Sequence, residues 1–113
     1  MAAHLVKTSG AITSAHALAE AYATLSGDPR LRINPYDADR MVGDLAKAVQ
    51  VHGLAAKLYL ALIREAPANG IRGGSFFDAI HAKTAREARC GEIHTLNVKH
   101  FQHVAPDLKI VGL

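Results

Sequence analysis

Ala11-Ile12-Thr13-Ser14-Ala15-His16-Ala17-Leu18-Ala19-Glu20-Ala21-Tyr22-Ala23-Thr24-Leu25 changes its period partway along. The first four residues form a short, partly β-branched run suited to an extended strand, and Leu18, Tyr22 and Leu25 then recur at helical spacing. A strand therefore feeds directly into a helix, the basic unit of an α/β layer.

The same alternation continues downstream. Gly27-Asp28-Pro29 breaks the first helix, and Asn34-Pro35-Tyr36-Asp37 starts another: Asn as cap, Pro at the first helical position, an acid in the first turn. This helix is expected from Pro35 to about Lys47. Ala48 to His52 alternates like a half-buried strand, Leu54 to Glu65 resumes helical spacing, and Pro67-Ala68-Asn69-Gly70 stops it. After Gly73-Gly74, Ser75 to Arg89 reads as a helix, with Ser75 and Asp78 placed as a capping box. Glu92 to Leu96 and Lys109 to Val111 read as short strands. The expected fold is α/β with a mostly parallel sheet. Ala2 to Gly10 reads as the tail of a helix and a loop.

Composition sets the outer bounds. A chain of 113 residues suits one domain, 1–113. Half of its residues are apolar but only 5% are aromatic, which favours closely packed, alanine-rich helices. Thirteen Lys and Arg against ten Asp and Glu give a formal charge of +3, a mild lean toward polyanions such as RNA. Cys90 is the single cysteine, so no internal disulfide can form and a cytoplasmic location is the default. The longest apolar stretch, Leu54 to Ile63, contains Lys57 and is too short for a membrane span, so no membrane partner is expected.

Three polar positions stand out. Glu20 has no Lys or Arg three or four residues away, which suits a metal-binding carboxylate or an ordinary exposed one. Asp78 follows a double glycine and is either a ligand or a capping-box acid. Asn97 follows a strand, where open α/β sheets place ligands and where turns also favour Asn. Cys90, His94, His100 and His103 lack a paired zinc-knuckle spacing and read as scattered core and surface residues. No phosphate-loop signature follows Gly73-Gly74, and no nucleophile elbow is present.

Taken together, Ser14-Ala15-His16-Ala17-Leu18-Ala19-Glu20, Gly70-Ile71-Arg72-Gly73-Gly74, Phe77-Asp78-Ala79-Ile80-His81-Ala82 and Thr95-Leu96-Asn97-Val98-Lys99-His100-Phe101 resemble, in order and spacing, the PIN-domain ribonucleases of the VapC-type toxin group. The resemblance covers about Ala11 to Leu113. It implies a PIN-like three-layer fold and a Mg²⁺- or Mn²⁺-dependent endoribonuclease of a toxin-antitoxin pair. Its expected partners are RNA, a cognate antitoxin protein and a second copy of the chain. Carried over by position, Glu20, Asp78 and Asn97 are the catalytic and metal-binding residues, and Arg72, Thr95 and Lys99 contact substrate.

The family also begins with a central strand that ends in an aspartate, followed by a helix. Here Glu20 is the only acid before Asp28. The expectation is thus an N-terminally truncated member lacking about one strand and one helix, roughly 30 residues, with the inner edges of its sheet unpaired and its activity in doubt, in preference to a true short form that closes the gap by rearranging or by pairing with another chain. Two alternatives stand beside it. One is a non-catalytic PIN remnant acting through protein or RNA contacts. The other is a basic RNA-binding protein using Arg30, Arg32, Arg86, Arg89 and Lys99 on phosphate.

Overall fold

The structure, a computed structural model, describes residues 3–7 and 10–112, with side chains from Ala11 to Gly112. Along the chain run β1 (Ala3–Lys7), β2 (Gly10–Ser14), α1 (Ala15–Gly27), α2 (Pro35–Ala48), β3 (Gln50–His52), α3 (Ala56–Glu65), α4 (Ser75–Glu87), β4 (Glu92–Thr95), α5 (Val98–Val104) and β5 (Lys109–Gly112). The five strands form one sheet in the order β3-β2-β1-β4-β5.

The α/β class expected from the sequence is present, but two expectations are corrected. Ala3–Lys7 is not the end of a helix; it is the middle strand of the sheet. Nor is the sheet mostly parallel. The pairs β2–β3 and β4–β5 are parallel, whereas β1 runs antiparallel to both of its neighbours. Leu5 lies opposite Ile12 on one side and Ile93 on the other, so the inner edges of β2 and β4 are both paired. The physical reason is the demand of the backbone: bare N–H and C=O groups in the middle of a sheet are costly, and a five-residue segment within reach satisfies both edges. Its direction reverses which end meets the carboxyl ends of β2 and β4, since Ala3 pairs with Thr95.

Local sequence explains most helix ends. Ser14 caps α1 by accepting a hydrogen bond from the Ala17 N–H at 2.9 Å. Asn34 caps α2 by accepting from the Asp37 N–H at 2.9 Å, with Pro35 in the first turn. The helix α2 carries on through Ala48, which shortens the expected strand to β3. The sequence reading does not anticipate α5, a seven-residue helix whose one fully buried side chain, Phe101, gives too little periodicity to recognise.

The central helix is α4, with Ala79, Ile80, His81, Ala82, Thr84 and Ala85 all buried. Small side chains at Ala82, Ala85 and Ala88 let it lie close to the sheet, where they join Ile12, Cys90, Ile93, Phe101 and Ala105 in the core. Val104, Leu108 and Ile110 close the edge of that cluster. Arg86 ties α4 to the turn before β5, its guanidinium donating to both Asp107 oxygens at 2.7 and 2.9 Å. That pairing holds the Asp107 carboxyl below its ordinary value.

The end of α4 stores a local strain. Arg89 adopts φ 59°, its N–H donates to the Arg86 carbonyl, and the Cys90 N–H donates to the Ala85 carbonyl at 2.8 Å. This is the Schellman arrangement, in which the left-handed residue is usually glycine. Replacing the exposed Arg89 with Gly is expected to stabilise the fold by about 1 kcal/mol, raising the melting temperature by about 4 °C in a thermal denaturation experiment. An unchanged or lower melting temperature would show that the guanidinium contributes more than the backbone strain costs.

Candidate functional site

The site is built where α1 and α4 meet beyond the carboxyl end of β2. Ser14 ends β2 and caps α1, so its buried hydroxyl is fixed by secondary structure before any function is considered. From α4, the buried His81 places Nδ1 2.7 Å from Ser14 Oγ. On its other side, His81 Nε2 lies 2.5 Å from Glu20 Oε1, on the second turn of α1. A carboxylate can only accept, so Nε2 carries the proton and Nδ1 accepts from the Ser14 hydroxyl. Burial pushes the His81 imidazole below its ordinary pKa, and the Glu20 carboxylate opposes that shift without overcoming it. His81 is therefore a neutral link holding Glu20 against the strand end.

One turn earlier on α4, Asp78 faces the same space. Burial raises its pKa, His100 and His81 pull it back, and the neighbouring Glu20 charge raises it further. Its ion-pair contact among the described residues is with His100, whose Nδ1 is 3.5 Å from Oδ2. The expected capping box is not formed. Gly74 is the cap residue of α4, and Ser75 Oγ instead donates to the Arg72 carbonyl at 2.8 Å.

His16 packs beside this cluster without lining the cleft. Its ring stacks on Phe77 with centroids 5.0 Å apart and planes 22° from parallel. His16 Nε2 is shielded from solvent and makes no hydrogen bond, although Glu20 Oε1 is 3.6 Å away.

Between these elements and α5 opens a cleft of about 430 Å³. Of the positions expected from sequence, Glu20, Asp78, Asn97 and Lys99 line it together. Arg72 and Thr95 do not. Arg72 is exposed in the loop before α4, and Thr95 is fully buried beneath Asn97, accepting the Asn97 N–H on Oγ1 at 3.0 Å. Thr95 thus positions the Asn97 backbone rather than touching a ligand.

Sequence reasoning missed His16, His81 and Ser14 as site members. Their signal was present in spacing: His16 and Glu20 four residues apart, Asp78 and His81 three apart, each pair sharing a helix face. Of Cys90, His94, His100 and His103, only His100 and His103 line the cleft. Cys90 is buried in the core, and His94 pairs with Glu92 at 2.9 Å. Among the described residues, no group of three or more His, Cys, Asp or Glu side chains is placed so that it could hold a metal ion. Also among them, no helix is long and apolar enough to cross a membrane.

Compared with protein-family models, curated proteins and solved structures, the chain matches none.

The raised pKa of Asp78 carries a stability consequence. A carboxyl whose folded pKa lies above its unfolded one favours folding while protonated, and that contribution is lost as pH rises through the folded value. Asp78→Asn is therefore expected to melt at a higher temperature than the parent at neutral pH, with the gap closing as pH falls below the ordinary carboxylate range. A variant less stable than the parent at neutral pH would show that the Asp78 charge has a stabilising partner.

Proposed function

We propose that this chain is a Mg²⁺- or Mn²⁺-dependent endoribonuclease of the PIN-like, toxin-antitoxin kind, acting at the cleft between α1, α4 and α5. The observation that carries the reading is convergence. Three oxygen-donor side chains, Glu20, Asp78 and Asn97, and the cation Lys99 come from α1, α4 and the start of α5 to one cleft.

The donor chemistry fits such an ion. Mg²⁺ keeps several waters and is commonly held by one or two carboxylates together with substrate phosphate oxygens. Glu20 and Asp78 would supply the carboxylates and Asn97 its amide oxygen. Bound there, the ion would lower the pKa of water and neutralise charge on phosphate. The protein's own groups do the remaining work. His81 fixes Glu20, burial keeps Asp78 short of compensating charge, and the exposed Lys99 attracts the RNA backbone into the cleft. The amino end of β1, rather than the carboxyl end of a parallel strand, reaches this side of the sheet, so no aspartate matches the family's first one. The expected turnover is correspondingly low.

A second reading, a non-catalytic remnant acting through a protein partner, is favoured by α3. Seven of its ten residues are aliphatic or aromatic, yet no residue of it is buried, and Leu60 and Ile63 are 61% and 53% exposed. A cognate antitoxin or a second copy of the chain is the partner proposed for it.

The test is cleavage of end-labelled single-stranded RNA with Mg²⁺ or Mn²⁺, beside a chelator control and Asp78→Asn. Metal-dependent cleavage that falls at least about tenfold in the variant supports the nuclease. No cleavage with either ion, accompanied by a light-scattering mass of two chains that reverts to one on Leu60→Glu, would replace it with the second reading.

A further inference from the structure

Helix α4 turns an aromatic side chain outward into the cleft. Gly74, its cap residue, is followed at three, four and seven residues by Phe77, Asp78 and His81, and all four line the cleft. Phe77 thus faces the same space as the carboxylates, and it is 45% exposed although a phenylalanine ring gains by burial. His16 on α1 backs one face of that ring, with centroids 5.0 Å apart and planes 22° from parallel, which leaves the exposure to the opposite face and the edges. One turn earlier, a Cβ on Gly74 would meet nothing within 4 Å, so the space beside the ring is open. From the α5 side the cleft receives the exposed Lys99, with His100 and His103.

We propose that Phe77 is a stacking platform for one unpaired nucleobase of single-stranded RNA, with Lys99 holding an adjacent phosphate. The inference rests on reading the cleft as an RNA site, and it depends neither on cleavage nor on a metal ion.

The cleft sorts a ligand into an uncharged flat part and an anionic part. Without a metal ion, Glu20 and Asp78 repel phosphate while Lys99 attracts it, so the group that lies against Phe77 is an uncharged one. A nucleobase meets that need, because every base has an aromatic face and stacks on an aromatic side chain whatever its sequence. His16 behind the ring holds it in one plane, so little side-chain freedom is lost when a base covers it. The volume of about 430 Å³ lies within the range of small-ligand sites, about 300–1,000 Å³, and suits one nucleotide better than a paired duplex. Paired bases stack on one another and offer Phe77 no free face, so the platform selects unpaired RNA.

The test uses the full chain and short single-stranded RNAs that carry 2-aminopurine at each position in turn, titrated in chelator so that no strand is cut. The expected result is a change in 2-aminopurine fluorescence on saturation. Phe77→Leu, which keeps apolar bulk but has no aromatic face, should abolish that change and weaken binding about fivefold or more. Phe77→Tyr should retain both. A duplex of the same sequence should bind the parent and Phe77→Leu alike. Lys99→Ala should weaken binding and lower the salt slope by about 0.7, while the fluorescence change at saturation persists. No fluorescence change with the parent at any position, or unchanged single-strand affinity in Phe77→Leu, overturns the proposal. Binding by Phe77→Tyr as weak as by Phe77→Leu overturns it too. A two-chain mass lost in Phe77→Leu with RNA binding unchanged gives the ring to a protein partner instead, and also overturns it. Metal-dependent cleavage with no Phe77-dependent binding overturns it while leaving the nuclease reading intact. Phe77-dependent binding without cleavage does the reverse.

Discussion

Backbone hydrogen bonding across the middle of the sheet is the constraint on which the rest of this structure depends. The parallel pairs β2–β3 and β4–β5 belong to one sheet because β1 lies between them and bonds to both. Without it, Ile12 and Ile93, both almost wholly buried, would sit on separate two-stranded ribbons, and such ribbons are at best marginal in water. With it, the apolar faces of β2 and β4 form a continuous floor for α4. The carboxyl ends of both strands then reach the same side, where Ser14 holds His81 from behind and Asn97 lines the cleft.

The position of α4 is in turn what makes a polar site possible in a chain of this size. Alanines at 82, 85 and 88 remove bulk between helix and sheet, bringing His81 within reach of Ser14 and Glu20. The Ser14–His81–Glu20 chain joins the end of a strand, the centre of one helix and the second turn of another. Each donor and acceptor in that chain is satisfied with a single tautomer, so it fixes the spacing of α1 and α4 as well as the rotamer of Glu20. Packing and site geometry are here the same set of contacts, which is why the neutral form of a buried histidine has consequences for both.

Sequence periodicity made the helices from Ala15, Pro35 and Ser75 legible because each has a broad apolar face or a strong cap. It did not reveal β1, because Ala3-His4-Leu5-Val6-Lys7 is too short to separate an alternating strand from the end of a helix. Its direction lies even further beyond local reading, since it is fixed by edges supplied from residues 10–14 and 92–95. At the site, Glu20, Asp78, Asn97 and Lys99 could be singled out from motif and spacing, and all four line the cleft. Arg72 and Thr95 illustrate the limit: proximity in sequence to a site residue does not say which side of the backbone a side chain occupies. His16 and His81 were visible as neighbours of the two carboxylates, but seven histidines in 113 residues dilute the signal until the fold shows which two converge.

The chemistry of the cleft follows from a charge imbalance that the fold leaves in place. The Arg86–Asp107 and Lys83–Glu87 pairs show that α4 can present a cation to a carboxylate where stability alone is at stake. Around Glu20 and Asp78 the described ion-pair contacts are with histidines, and Lys99, which also lines the cleft, takes part in none of them. Burial then acts on Asp78 without full compensation, destabilising the empty site. A neutral His81 can hold Glu20 in place without cancelling its charge. A cation bound there, as proposed, would relieve that burial and recover stability given up in folding.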